Sequence, residues 1–221
     1  MLFAGVLACF AQNPTPTPKP GTSPSPETKK NERPAPTPAA EPFDTADVKT
    51  MASKCARIET EAGDIELEFY PESAPESVRN FLNLTATGML DTTTFSRVVP
   101  DFVIQGGDLY TRTDKVTYAI GQRARKVVPD EPNKILHERG IISMARLDEP
   151  NTATTNFFIL IKEAPYLDGK FAAFGRVTKG MDIVDAINKA PVTDEKPEKP
   201  VRIKRAIVLT CGPQSASFSL F

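Results

Sequence analysis

The sequence has no tryptophan, a single histidine (His137) and three cysteines (Cys9, Cys55 and Cys211). That supply offers no convincing set of metal ligands, and no glycine-rich loop of the right length and setting appears for a nucleotide. Gly106-Gly107 follows no helix-opening pattern, so a bulge or tight turn accounts for it better. His137 lies in a polar stretch and is read as a loop residue. Charge of one sign is also missing. A formal net charge of −1 with 25% charged residues excludes the broad basic field of a nucleic-acid binder and the acidic field of a cation partner. No apolar run approaches the roughly 20 residues that a membrane-spanning helix needs. No internal repeat of fixed period is visible.

Proline is abundant but unevenly placed: about half of the 21 prolines lie between Pro14 and Pro42, while branched apolar and aromatic residues gather after Arg57. Residues 12–50 therefore lack the apolar surface to bury a core and are expected to form an extended, partly polyproline-II spacer. Before it, residues 1–11 (MLFAGVLACFA) form a short apolar run ending in small residues, the pattern of an export signal, although no Lys or Arg precedes it. Val6-Leu7-Ala8-Cys9 resembles the lipobox of bacterial lipoproteins, which would lipidate Cys9 and anchor the chain to a membrane. The alternative is an ordinary cut after Ala11. Either implies work outside the cytoplasm of a bacterium. Residues 51–213 are long enough for one domain with a single core, and 214–221 form a tail.

Within that domain, Ile65, Leu67 and Phe69 alternate with Glu66 and Glu68, the period-two signature of a half-buried strand. A preceding strand over 57–61 turns through Ala62-Gly63-Asp64. Ser73-Ala74-Pro75-Glu76 has capping-box spacing with a first-turn proline, and Val78, Phe81, Leu82 and Thr85 then share one helical face before Gly88. Met181, Val184 and Ile187 repeat that spacing before Pro191. Six further β-rich runs follow, at 95–99, 102–105, 141–144, 157–161, 174–177 and 203–210. Eight short strands and two helices predict a mainly β fold, a closed eight-stranded antiparallel barrel capped by the helices.

Two segments mix aromatic residues with amides and an arginine where a plain strand would only alternate. The first runs from Phe95-Ser96-Arg97 through Phe102-Val103-Ile104-Gln105-Gly106-Gly107; the second from Gly140 to Arg146 and on through Asn151 to Ile159. Both resemble the signature stretches of cyclophilins, and Tyr166-Leu167-Asp168-Gly169-Lys170 with Phe174-Gly175-Arg176-Val177 resembles a third. The resemblance covers nearly all of residues 57–212, in family order, with wording closest to bacterial members.

It implies a peptidyl-prolyl cis-trans isomerase that acts on proline-containing unfolded or extended polypeptides, without cofactor or metal, as a monomer. It assigns Arg97 as the catalytic arginine, Gln105 as the active-site glutamine, and Phe102, Val103, Phe158 and Leu167 as walls of the proline pocket. Ala145 and Arg146 match the segment whose backbone grips the peptide, and Asn156 stands where the family usually has a second glutamine. Tyr166 replaces the tryptophan of cyclosporin-sensitive members, Phe171 replaces a histidine, and Ser96 replaces another. The rival reading is a peptide-binding module or holdase on the same scaffold.

The chemistry fits these residue types. The barrier of roughly 18–20 kcal/mol arises from amide resonance, which is lost in the twisted state. There the proline nitrogen acquires a lone pair, so a donor aimed at it favours the transition state over the ground state. For the cysteines, parity argues against a Cys55–Cys211 bridge. Cys211 shares its parity with apolar Ile207 and Leu209, Cys55 with polar Arg57 and Glu59, and two free thiols are expected.

Overall fold

A computed structural model of the protein describes residues 40–211. The apolar start, Cys9, the proline-rich segment up to residue 39 and the tail lie outside the described residues. Within them the chain forms helices α1 (Val48–Ala52), α2 (Pro75–Ala86), α3 (Tyr118–Ala124) and α4 (Met181–Asn188). The strands are β1 (Lys54–Thr60), β2 (Asp64–Phe69), β3 (Arg97–Val99), β4 (Val103–Gly106), β5 (Ile141–Met144), β6 (Phe157–Leu160), β7 (Ala173–Lys179), β8 (Val192–Thr193), β9 (Lys196–Pro197) and β10 (Ile203–Thr210).

All eight expected strands join one antiparallel sheet in the order β10-β1-β2-β7-β5-β6-β4-β3. The expected closed barrel does not form: the sheet curls into an open half-barrel whose edges, β10 and β3, share no ladder. The reason lies in the β8–β9 hairpin, whose Glu195 carbonyl accepts from the Val98 amide (2.8 Å) and so occupies the free side of β3. β10 reaches the chain before β3 through the bridge between Thr94 and Arg202 with its flanking backbone bonds, and through the Ala206 amide donating to Asp91 Oδ1 (2.9 Å). Helices α1 and α3 are too short to show a periodic apolar face, so the sequence pattern does not announce them.

The concave side of the sheet packs on α2. Phe81 of that helix sits 5.2 Å, edge to face, from Phe157, and 5.5 Å from both Phe69 and Phe174. Aromatic rings at these separations add to the apolar burial that drives the packing. Central strands are buried on both faces, which is why β6 reads as an unbroken apolar run. Phe157 and Ile159 join the main core, while Phe158 and Leu160 join a smaller cluster on the other face with Val103, Ile141, Leu167 and Ala173.

Three local expectations change. The capping box of α2 is not made: Ala74 is the N-cap, with no side-chain cap bond. The orphan amides of Glu76 and Ser77 instead donate to the Glu131 carboxylate at 2.9 and 2.8 Å, and the Ser77 hydroxyl adds a third bond at 2.7 Å. Residues 40–50, read as the end of the spacer, are folded onto the domain. Glu41 pairs with buried Arg123 (2.6 Å), and Arg79 donates to the carbonyls of Phe43 and Ala46 (2.7 and 2.6 Å).

Cys55 and Cys211 form a disulfide, with Cα atoms 5.1 Å apart at a sequence separation of 156. Parity misleads here because apolar character does not mark the inner face of β10. Cys55 pairs with Leu209 and Arg57 with Ile207, so Ile207 and Leu209 lie on the half-exposed face while Ala56, Ile58, Ile203 and Ala206 point inward. Cys211, just past the strand end, is then the diagonal neighbour of Cys55 on that same face.

Candidate active site

On the convex face, strand pairing aligns side chains from four strands into one transverse row. Arg97 of β3 faces Gln105 of β4, Gln105 faces Phe158 of β6, and Phe158 faces Ser143 of β5. Because directly opposed residues share a face, this row places a guanidinium, an amide and an aromatic ring side by side. An open cleft of about 200 Å³ lies over it, lined by Arg97, Phe102, Val103, Gln105, Ala145, Arg146, Phe158, Tyr166, Leu167 and Phe171. The structure thus brings together all the expected site residues except Asn156. Asn156 does not line the cleft; its backbone carbonyl accepts from the Ala145 amide (3.0 Å).

The cleft floor is apolar. Val103, Phe158 and Leu167 are nearly wholly buried, and Phe171 packs edge to face on Phe158 with centroids 6.0 Å apart. Phe102 and Tyr166 form the opposite rim, their rings 5.9 Å apart; Tyr166 is 60% exposed. Phe102 is set by a tight turn in which Asp101 takes a left-handed conformation (φ 59°). Buried Asn188 of α4 fixes that turn by accepting from the Asp101 amide and donating to the carbonyls of Val99 and Val103. At the far end of β4, Gly107 (φ 90°) stands where a Cβ would collide with the Thr155 carbonyl. The glycine pair is therefore a close-approach turn.

The polar rim divides by role. Arg97 directs Nη1 to Gln105 Oε1 (3.1 Å) and Nε to Glu195 Oε2 (2.7 Å), with its side chain still 42% exposed. A pair this open contributes little to stability, about 1 kcal/mol or less. Arg146 is bound within the rim itself. It donates to the carbonyls of Leu147, Asp148 and Lys170, and its guanidinium lies 4.7 Å above the Phe171 ring.

Behind the cleft is a network that the sequence did not announce. His137, read as a loop residue, is 2% exposed. Its Nδ1 lies 3.0 Å from Asp168 Oδ1, which also accepts the His137 amide (2.7 Å), and Nε2 lies 3.2 Å from Ser143 Oγ. With a carboxylate as its acceptor Nδ1 carries the proton, and Nε2 then accepts from the serine. Burial lowers the histidine pKa and outweighs the upward pull of Asp168. The network ties the turn bearing Tyr166 and Leu167 to the strand leading into Ala145.

Comparisons with known proteins identify the family. The cyclophilin type peptidyl-prolyl cis-trans isomerase/CLD family matches residues 55–208. A peptidyl-prolyl cis-trans isomerase of Acinetobacter baylyi is 34% identical over 164 residues, covering 69% of this chain and 84% of that protein. One from Schizosaccharomyces pombe is 37% identical over 155 residues, covering 69% and 97%. Among solved structures, a cyclophilin type isomerase of Cryptosporidium parvum, determined in the presence of the dipeptide Ala-Pro, superposes with a TM-score of 0.62 at 28% identity, covering 71% of this chain and 99% of that one. With the matched region spanning nearly all of the half-barrel, the chain belongs to the cyclophilin family of peptidyl-prolyl cis-trans isomerases.

Proposed function

We propose that this isomerase works outside the cytoplasm on X-Pro bonds of exported proteins, with Arg97 as the catalytic donor and Gln105 as its partner in steering the substrate. The observation that carries the site assignment is the Arg97–Gln105 pair at the mouth of an apolar cleft. Phe102, Val103, Phe158 and Leu167 hold the proline ring still. The carbonyl before the proline then swings past while the guanidinium donates to the nitrogen as its lone pair forms. That bond exists only in the twisted state, so it acts on the barrier rather than on binding. The exported setting is supported by the apolar start before a proline-rich segment and by the Cys55–Cys211 disulfide, since such bonds persist in oxidising compartments.

Arg97→Ala tests the site. Losing a donor that acts in the transition state costs about 2.7–4 kcal/mol, or roughly 100- to 1000-fold in rate. Exchange spectroscopy on an Ala-Pro peptide should register that loss with the thermal melt unchanged; parental activity would remove Arg97 from the mechanism. The setting is tested by the mass of the mature native chain. A start at lipidated Cys9 or after Ala11 supports export, and an intact Met1 counts against it.

A further inference from the structure

The β8–β9 hairpin turns through Asp194 and Glu195, both in the left-handed region (φ 50° and 63°). Two-residue hairpins of this kind favour glycine, asparagine or aspartate at these positions, because a Cβ disfavours positive φ. A glutamate at the second position is therefore locally unfavourable. What offsets it lies 98 residues away in sequence, at Arg97. The Glu195 carbonyl holds the Val98 amide (2.8 Å), and its carboxylate holds Arg97 Nε (2.7 Å).

With Gln105 on Nη1, the guanidinium is gripped at two of its three nitrogens, and Nη2 takes part in neither contact. The two grips come from opposite sides, one from the neighbouring strand and one from the hairpin. An arginine side chain has many rotamers and loses much freedom when ordered. Arg97, on a three-residue edge strand and partly exposed, would sample several of them if Gln105 were its only partner.

We propose that Glu195 is a positioning residue for the isomerase reaction: it fixes the plane of the Arg97 guanidinium, so that the donor is already aimed when the proline nitrogen becomes pyramidal. The inference rests on the reading of Arg97 as the catalytic donor. Glu195 touches no substrate in this account and acts only through Arg97. A preorganised donor matters in the transition state, so kcat falls when Glu195 is removed while KM hardly changes.

The test is a double-mutant cycle built on Glu195→Gly. Glycine suits the left-handed tip and keeps the hairpin while deleting the carboxylate, so the melting temperature should hold or rise. Expected is a fall in kcat of about tenfold on an Ala-Pro tetrapeptide, with KM within about twofold. Glu195→Gln, whose amide oxygen still accepts from Nε, should recover most of that loss. In the Arg97→Ala background, Glu195→Gly should cost nothing more, because its route of action is already gone. Equal losses in both backgrounds would mean a structural role and overturn the proposal. A slow Arg97→Ala beside a fully active Glu195→Gly would overturn it while leaving Arg97 catalytic, and a fully active Arg97→Ala would overturn the reading beneath it.

Discussion

Reducing the Cys55–Cys211 bond, or replacing both residues by serine, removes the covalent tie between the first and last long strands of the domain. The loop it closes spans 156 residues of separation, nearly the whole folded chain, so the tie restricts the unfolded ensemble about as strongly as one bond can. Loop-closure entropy for that length corresponds to about 5 kcal/mol at 25 °C. Part of it is offset, because the denatured chain keeps residual order. A loss of about 3–5 kcal/mol is therefore expected, which for a domain of this size lowers Tm by roughly 10–15 °C. Urea titrations of the oxidised protein, the reduced protein and a Cys55→Ser/Cys211→Ser variant would measure it. The reduced protein and the variant should coincide, and reductant should leave the variant unmoved. Isomerase activity at 25 °C should be unchanged in all three, since in the sheet β2 and β7 separate β1 from the cleft strands β5, β6, β4 and β3. Oxidised and reduced proteins equally stable, or two titratable thiols in the native, unreduced chain, would refute the reasoning.

Cyclosporin-type inhibitors should bind weakly, because Tyr166 stands at the rim where sensitive relatives present an indole; Tyr166→Trp should tighten binding in a calorimetric titration, and no gain would count against that account. His137 makes stability depend on pH. Its folded pKa lies below the ordinary value near 6.5 because burial disfavours the charged ring. The unfolded chain therefore binds the extra proton first, so the contribution is complete above about pH 6.5 and is lost as pH falls below it. Thermal melts from pH 5 to 8 should show this slope, and a His137→Asn variant should flatten it.

The elements legible in the sequence were those whose signal is local. The alternation of Ile65, Leu67 and Phe69 and the spacing of Val78, Phe81 and Leu82 mark strand and helix directly. The ordered aromatic and amide segments mark the cleft, where Asn156 alone of the expected residues stands apart. What stayed hidden depends on partners far away in the chain. The capping box of α2 had the right residues, yet Glu131 took the Glu76 amide the box would have held, and the Ser77 amide beside it, from 55 and 54 residues away. The spacer's end looked featureless because Glu41 and Phe43 find their partners, Arg123, Arg79 and Asn83, on other elements.

Register was the second hidden quantity. Apolar Ile207 and Leu209 suggested an inner face for β10, but they pair regularly with Arg57 and Cys55 on the half-exposed side, and a bulge opposite Glu59 and Thr60 then lets both Ile203 and Ala206 point inward. Period-two reading assumes an unbroken ladder, and one irregularity changes which residues can meet. The open barrel has a related origin. Strand count and alternation are properties of single segments, whereas closure requires the two edge strands to pair, and that outcome was decided by where a short hairpin laid its tip. Glu195 sits on that tip. The residue whose carbonyl keeps the sheet open thus also reaches Arg97 with its carboxylate, and no pattern within either segment alone could have shown it.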